Sequence, residues 1–167
     1  PREMIRDAMK KYEQPRKPRK TRRPPKRPPK TPALSLEVEA AFMAGDYDKV
    51  IQLVPADRKV PPEFVDAVAS AYNQQGNALG DQANQKSGAE ADSLFAQAIE
   101  KYQAGLRIKP DMHEAHYNWG NTLFQQAKQK SGAEADRLFA LAVEKYQAAF
   151  RIKSDNIEIL YNWGTTL

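Results

Sequence analysis

An internal duplication constrains this chain more than any other sequence feature. Residues 71–114 align without gaps to residues 115–158, with 28 identities in 44 positions. The heptapeptide KSGAEAD occurs at 86–92 and again at 130–136, and YNWG occurs at 117–120 and again at 161–164. Such similarity at a fixed period is typical of supersecondary units that bury their apolar faces against neighbouring units. The sequence therefore predicts a stack of repeated units.

Each unit is predicted to be a pair of helices. In the first copy the pair is separated by Ser87-Gly88, because glycine supplies the backbone conformation that ends a helix, and Pro110 stops the second helix. A stripe at i, i+4 spacing on that second helix is expected to be its buried face: Leu94, Ala98, Tyr102 and Leu106. The predicted helices run from about Pro62 to Gln85, Ala89 to Ile108, 111 to 129 and 133 to 152, with a further one from about Asp155.

Glycines inside the predicted helices indicate close packing. Gly76, Gly120 and Gly164 each cost about 1 kcal/mol relative to alanine in a helix, and a partner helix that approaches closely would explain them. Ala98 and Ala142 are the small residues expected opposite these glycines. Aromatic residues at helical spacing are predicted to form the core between helices: Phe95, Tyr102, Trp119, Phe139, Tyr146 and Trp163.

These residues resemble a known repeat family. The pattern of small and aromatic residues is similar to that of the tetratricopeptide repeat (TPR). The residues that carry the similarity are Gly120, Leu123, Ala142, Tyr146 and Ala149, with Pro110 in the preceding copy. TPR units are helix pairs of about 34 residues; the units here are about ten residues longer, which lengthens both helices. The segment LEVEAAFMAGDYDKVIQLVP at 36–55 also resembles a TPR hairpin, of ordinary or shorter length. The resemblance implies an all-α, TPR-like solenoid of helical hairpins, in a long-helix variant with a 44-residue period.

The resulting domain prediction has five parts. They are a basic arm at 1–32 with a short amphipathic helix at 3–14, a capping hairpin at 33–60, long repeats at 61–110 and 111–154, and the first helix of a further, truncated repeat at 155–167.

The arm differs from the rest of the chain in charge. Residues 1–32 hold 13 Lys/Arg and 3 Asp/Glu, whereas residues 33–167 hold 13 and 18. Segment 15–32 contains only lysine, arginine, proline and threonine, so it has no apolar surface to bury and is expected to be extended or disordered on its own. Its cations are the predicted contacts to phosphates or to an acidic surface: Arg16, Lys17, Arg19, Lys20, Arg22, Arg23, Lys26, Arg27 and Lys30.

Several interpretations of the arm stay open, and its proline spacing also allows an SH3-type ligand. It is a solvated linker or localisation signal, a sequence-blind ligand for the phosphate backbone of a nucleic acid, or a ligand for an acidic protein surface. Segment 15–32 contains no aromatic residue, so it cannot stack on the bases of a nucleic acid.

The composition argues against catalysis. The chain has no cysteine and two histidines, and KSGAEAD lacks the spacing of a phosphate-binding loop. His113 and His116 are three residues apart, but Ile157 and Leu160 stand at the equivalent positions of the next copy. We therefore predict a protein without enzymatic activity, metal or cofactor. No apolar run approaches the roughly 20 residues of a membrane span, so a soluble intracellular protein is expected, in the cytoplasm or inside a plastid or mitochondrion.

The TPR resemblance also implies a binding groove lined by the first helix of each pair. Asparagine can bond both the N–H and the C=O of an extended peptide, and the four asparagines Asn77, Asn118, Asn121 and Asn162 are expected to point away from the core. The basic residues with which some TPRs clamp a C-terminal carboxylate are replaced here by Asn73, Glu158 and Asn162. The predicted groove residues are Asn73, Gln74, Asn77, Tyr117, Asn118, Asn121, Tyr161 and Asn162.

The sequence therefore predicts a scaffold or adaptor subunit that binds protein partners within a larger assembly and takes no small-molecule substrate. The alternative is a nucleic-acid-associated factor, of a ribonucleoprotein or transcription complex, that binds through the arm.

Overall fold

The computed structural model describes residues 32–56 and 59–166, and these residues form seven α-helices and no strand. The predicted all-α class is confirmed for this part of the chain. The predicted helix at 3–14 and the nine cations of the arm lie outside the described residues. The helices are α1 (Pro32–Met43), α2 (Tyr47–Leu53), α3 (Val65–Asn84), α4 (Gly88–Ile108), α5 (His113–Lys128), α6 (Gly132–Ile152) and α7 (Ile157–Thr166), with a 3-10 turn at Pro62–Phe64 before α3.

Glycines with positive φ separate the helices of each pair. Gly88 and Gly132 have φ of 61° and 58°, a conformation that residues with a Cβ rarely adopt. Each is the first residue of the following helix, and α3 and α5 have already ended three residues or more before it. The duplicated Ser-Gly pairs therefore mark the predicted breaks, but their glycines begin α4 and α6 rather than end α3 and α5.

The helix contacts follow the chain order. Each long helix packs against the next, so that α3 contacts α4, α4 contacts α5, and α5 contacts α6. Contacts also skip one helix, since α3 touches α5 and α5 touches α7. The first helices of consecutive pairs are thereby neighbours, which brings the polar residues of α3, α5 and α7 onto one connected surface.

The short hairpin α1–α2 packs on the first turns of α3. Val38, Ala41 and Val50 are buried together with Val68 and Ala71. Gly45, with φ of 72°, lies in the turn between the two helices, and the Asp46 side chain accepts a hydrogen bond from the Lys49 backbone N–H at 3.0 Å. The hairpin thus covers the apolar surface of the amino-terminal part of α3.

The residues opposite the helical glycines are tyrosines, which corrects the expectation of alanines. A Cβ placed on Gly76 would lie 2.5 Å from Cε1 of Tyr102, and one on Gly120 would lie 2.7 Å from Cε1 of Tyr146. Both rings are about 1% exposed. The missing side chain therefore makes room for an aromatic ring that lies directly against the helix backbone.

The core combines these tyrosines with alanines and with larger apolar residues such as Phe95, Leu123 and Ile159. In α4 the buried residues are Ala91, Phe95, Ala98, Tyr102 and Gly105, so two members of the predicted stripe, Leu94 and Leu106, are only half-buried. Of the aromatic residues predicted for the core, Phe95, Tyr102, Tyr146 and Trp163 are buried, whereas Trp119 and Phe139 are half-buried.

Candidate functional site

A polar cavity of about 460 Å³ lies along the surface shared by α3, α5 and α7. Tyr102 of α4 and Tyr146 of α6 also line it. Its lining residues are Asn77, Gly80, Asp81, Asn84, Tyr102, Asn118, Asn121, Thr122, Phe124, Gln125, Tyr146, Asn162, Thr165 and Thr166. We call this feature the amide cavity.

Two equivalent tyrosine–asparagine hydrogen bonds form the base of the amide cavity. The Tyr102 hydroxyl donates to Asn77 Oδ1 at 3.0 Å, and one period later the Tyr146 hydroxyl donates to Asn121 Oδ1 at 2.8 Å. Each tyrosine is the one that lies against the glycine preceding its asparagine. The glycine, the asparagine and the tyrosine therefore form one structural unit that the duplication repeats.

Both tyrosines are held in the neutral form. Burial raises the pKa of Tyr102 to about 12, and the nearby charge of Asp81 also raises it. Burial likewise raises the pKa of Tyr146, with a further contribution from Tyr117. At neutral pH these hydroxyls are hydrogen-bond donors rather than bases, so they fix the orientation of the amides beside them.

Amide hydrogen bonds connect the first helices of consecutive pairs. Asn118 Nδ2 donates to Asn73 Oδ1 at 3.1 Å, between α5 and α3. Asn162 Nδ2 of α7 donates to Asn121 Oδ1 at 3.2 Å and to the Tyr117 hydroxyl at 2.6 Å. The amides therefore contribute to the fold, and Asn73, at 5% exposure, belongs to the interior rather than to an open groove.

The structure brings together half of the predicted groove residues. Asn77, Asn118, Asn121 and Asn162 line the amide cavity. The other four predicted residues do not line it: Asn73 is buried, Gln74 and Tyr117 are half-buried, and Tyr161 is 69% exposed on α7.

The sequence analysis missed several lining residues, among them the polar residues Asp81, Asn84, Gln125 and Thr166. They could have been predicted, because residues four or seven positions apart share one face of a helix. Asp81 and Asn84 follow Asn77 at these spacings, and Gln125 follows Asn121.

The internal bonds leave the cavity with unused donors. The Oδ1 atoms of Asn77 and Asn121 already accept from tyrosine hydroxyls. The Nδ2 atoms of Asn77 and Asn118 each donate one hydrogen bond, and an amide –NH₂ has two N–H groups. The side chains of Asn84 and Gln125 form no hydrogen bond with another described residue. One N–H group of Asn77 and one of Asn118 are therefore free to donate to a ligand that offers acceptors.

The charge of the amide cavity comes from one residue. Asp81 is the single ionisable carboxylate among the described residues that line it, and none of these lining residues is cationic. The equivalent position of the next copy is the neutral Gln125. The cavity is therefore weakly anionic at the end formed by α3.

The histidines lie away from this cavity. His116 is half-buried on α5, where burial lowers its pKa, and its Nε2 lies 3.4 Å from the Pro110 carbonyl oxygen. Within 32–56 and 59–166, no group of three or more histidine or acidic side chains is arranged to hold a metal ion. Over the same residues, no helix has both the length and the hydropathy needed to cross a membrane.

No protein-family model matches the chain, and no curated protein shows significant sequence similarity to it. The function is therefore argued from the geometry of the amide cavity.

Proposed function

We propose that this protein is a non-enzymatic scaffold, built as a TPR-like solenoid, that holds an extended peptide segment of a partner along its first helices. The observation that carries this proposal is the position of the amide cavity. It lies where α3, α5 and α7 adjoin, so its polar groups come from three consecutive first helices. A ligand that contacts all three must itself be extended across them.

The chemistry of the lining supports binding rather than catalysis. The lining offers amides, hydroxyls and one carboxylate, and burial raises the pKa of both its tyrosines further above neutrality. Such groups recognise the carbonyl and polar side-chain atoms of a peptide. They include no activated nucleophile and no pair of ionisable groups placed for acid–base chemistry.

Asn84 and Gln125 offer a direct test. Linear peptides that bind the wild-type protein can be selected from a displayed random library. These peptides should bind the double variant Asn84→Ala/Gln125→Ala more weakly than they bind the wild type. Each lost hydrogen bond to a peptide contributes about 0.5–1.5 kcal/mol, and the fold should be retained because neither side chain bonds to another described residue. Isothermal titration calorimetry measures the affinity, and circular dichroism measures the helix content.

The matched control is Gln82→Ala. Gln82 lies on α3 between Asp81 and Asn84, it is exposed, and it does not line the amide cavity. Its replacement should leave peptide affinity unchanged. Equal affinities of wild type and double variant, with both folded, would show that a different surface binds the selected peptides.

The charge of the arm favours a second candidate function, nucleic-acid association. If about six of the nine cations meet phosphates, log K should fall with log[salt] at a slope of about −4 to −5, and random RNA or DNA of equal length should bind equally. Replacing all nine by glutamine should abolish this binding. Partners that survive nuclease treatment and remain bound through the repeats would contradict this second function and favour the scaffold.

A further inference from the structure

We propose that the basic, proline-rich segment 15–31 of the same chain binds in the amide cavity, so that a partner peptide must displace it. This inference rests on the proposed function, because it assigns a ligand to the same groove. It adds that peptide binding is regulated, since the segment would block the amide cavity until a competing peptide or another ligand of the arm removes it.

The first argument is charge. Segment 15–31 holds nine lysines and arginines and no acidic residue. Asp81 makes the cavity anionic, and no lining residue would repel a cation. Asp81 also forms no ion pair with another described residue, so its charge is available to a ligand. Residues 33–167 as a whole carry 13 Lys/Arg against 18 Asp/Glu, which favours the same association at longer range.

The second argument is hydrogen-bonding chemistry. Six of the 17 residues of segment 15–31 are prolines, which keep a backbone carbonyl but lack an N–H group. The cavity presents the complementary groups, because the Oδ1 atoms of Asn77 and Asn121 are occupied by tyrosine hydroxyls while the amide groups of Asn77 and Asn118 keep N–H donors free. The carbonyls of this segment can accept hydrogen bonds from these donors, and its lysine and arginine side chains can donate to the side-chain oxygens of Asp81, Asn84 and Gln125.

The third argument is reach. Segment 15–31 leads directly into α1, which packs on Val68 and Ala71 near the start of α3. From Val68 to Asn84 the helix rises about 24 Å at 1.5 Å per residue. A proline-rich segment of 17 residues spans about 50 Å at 3.1 Å per residue. It is long enough to return along α3 to Asp81 and Asn84.

The chain of 167 residues allows a direct test because it has no cysteine. A nitroxide attached to the variant Thr21→Cys should broaden nearby NMR signals. We expect the side-chain amide signals of Asn84 and Gln125 to lose intensity, and to recover it when the nitroxide is reduced. An excess of unlabelled peptide with the sequence of residues 15–31 should also restore the intensity, by competing for the cavity.

Two variants of the labelled chain test the chemistry. Asp81→Asn should reduce the broadening, whereas the matched control Asp136→Asn, an exposed carboxylate on α6 outside the cavity, should leave it unchanged. Equal broadening in wild type and Asp81→Asn would overturn the charge argument and with it the proposal.

The outcomes also separate this inference from the proposed function. If the nitroxide does not broaden the two amide signals while library peptides still bind through Asn84 and Gln125, the intramolecular ligand is overturned and the groove remains. If the nitroxide broadens the signals but no library peptide binds even the variant whose nine arm cations are replaced by glutamine, the inference stands and the scaffold proposal fails.

Discussion

Raising the pH from 10 to 12 should destabilise the folded protein by about 2 kcal/mol through Tyr102 alone. The pKa of Tyr102 is raised from 10.0 to about 12 by burial in the folded state. A group with a raised folded-state pKa contributes its stability in full below the unfolded pKa and loses it as the pH rises through the folded value. Tyr146, whose pKa is also raised by burial, should add to the loss in the same direction.

Urea unfolding at a series of pH values from neutral to alkaline measures this effect. Lys109 and Lys130 also have raised pKa values, from hydrogen bonds to Asp66 and Asp92, so their ion pairs weaken over a similar range. The double variant Tyr102→Phe/Tyr146→Phe separates the contributions, because it keeps the lysines and removes the phenols. It should be less stable than wild type at neutral pH, yet lose less stability between pH 10 and 12. Parallel pH profiles of the two proteins would contradict the role given to the tyrosines.

Replacing Gly120 with alanine should destabilise the protein, although alanine is the better helix former. The new Cβ would lie 2.7 Å from the ring of Tyr146, which is buried and bonded to Asn121. Overpacking of this kind costs about 1–3 kcal/mol, against a gain in helix propensity of about 1 kcal/mol, so a net loss of up to about 2 kcal/mol is expected. The midpoint of urea unfolding measures it, and Gly76→Ala should behave in the same way.

The YNWG duplication supplies the control. Gly164 is the equivalent of Gly120 on α7, and it is exposed. The variant Gly164→Ala should therefore be neutral or stabilising. If Gly120→Ala stabilised the protein as much as Gly164→Ala does, the Tyr146 ring would have to move away without loss of stability.

The helices were predictable because their limits depend on local chemistry. Ser-Gly pairs and a proline mark the breaks, and the duplication indicates the same pair of helices twice; the observed limits of α3 to α6 lie within about three residues of the predicted ones. The all-α class follows directly from this.

The candidate site was predictable only in part, because its geometry depends on contacts between helices. The sequence indicates that Asn77 and Asn121 face a groove, but not that Tyr102 and Tyr146 reach them from the neighbouring helices. It also gives no reason to expect Asn73 in the interior, since asparagine is usually exposed and Asn73 is buried beside its partner Asn118. By contrast, Asp81 and Asn84 were predictable, because they follow Asn77 on the same helix at spacings of four and seven residues.

The contact between Gly120 and Tyr146 has an evolutionary consequence. Neither residue can vary freely, since any side chain at 120 collides with the ring, and any smaller residue at 146 leaves a void and removes one of the two donors to Asn121. Substitutions at these two positions, and at Gly76 and Tyr102, should therefore occur together in related sequences.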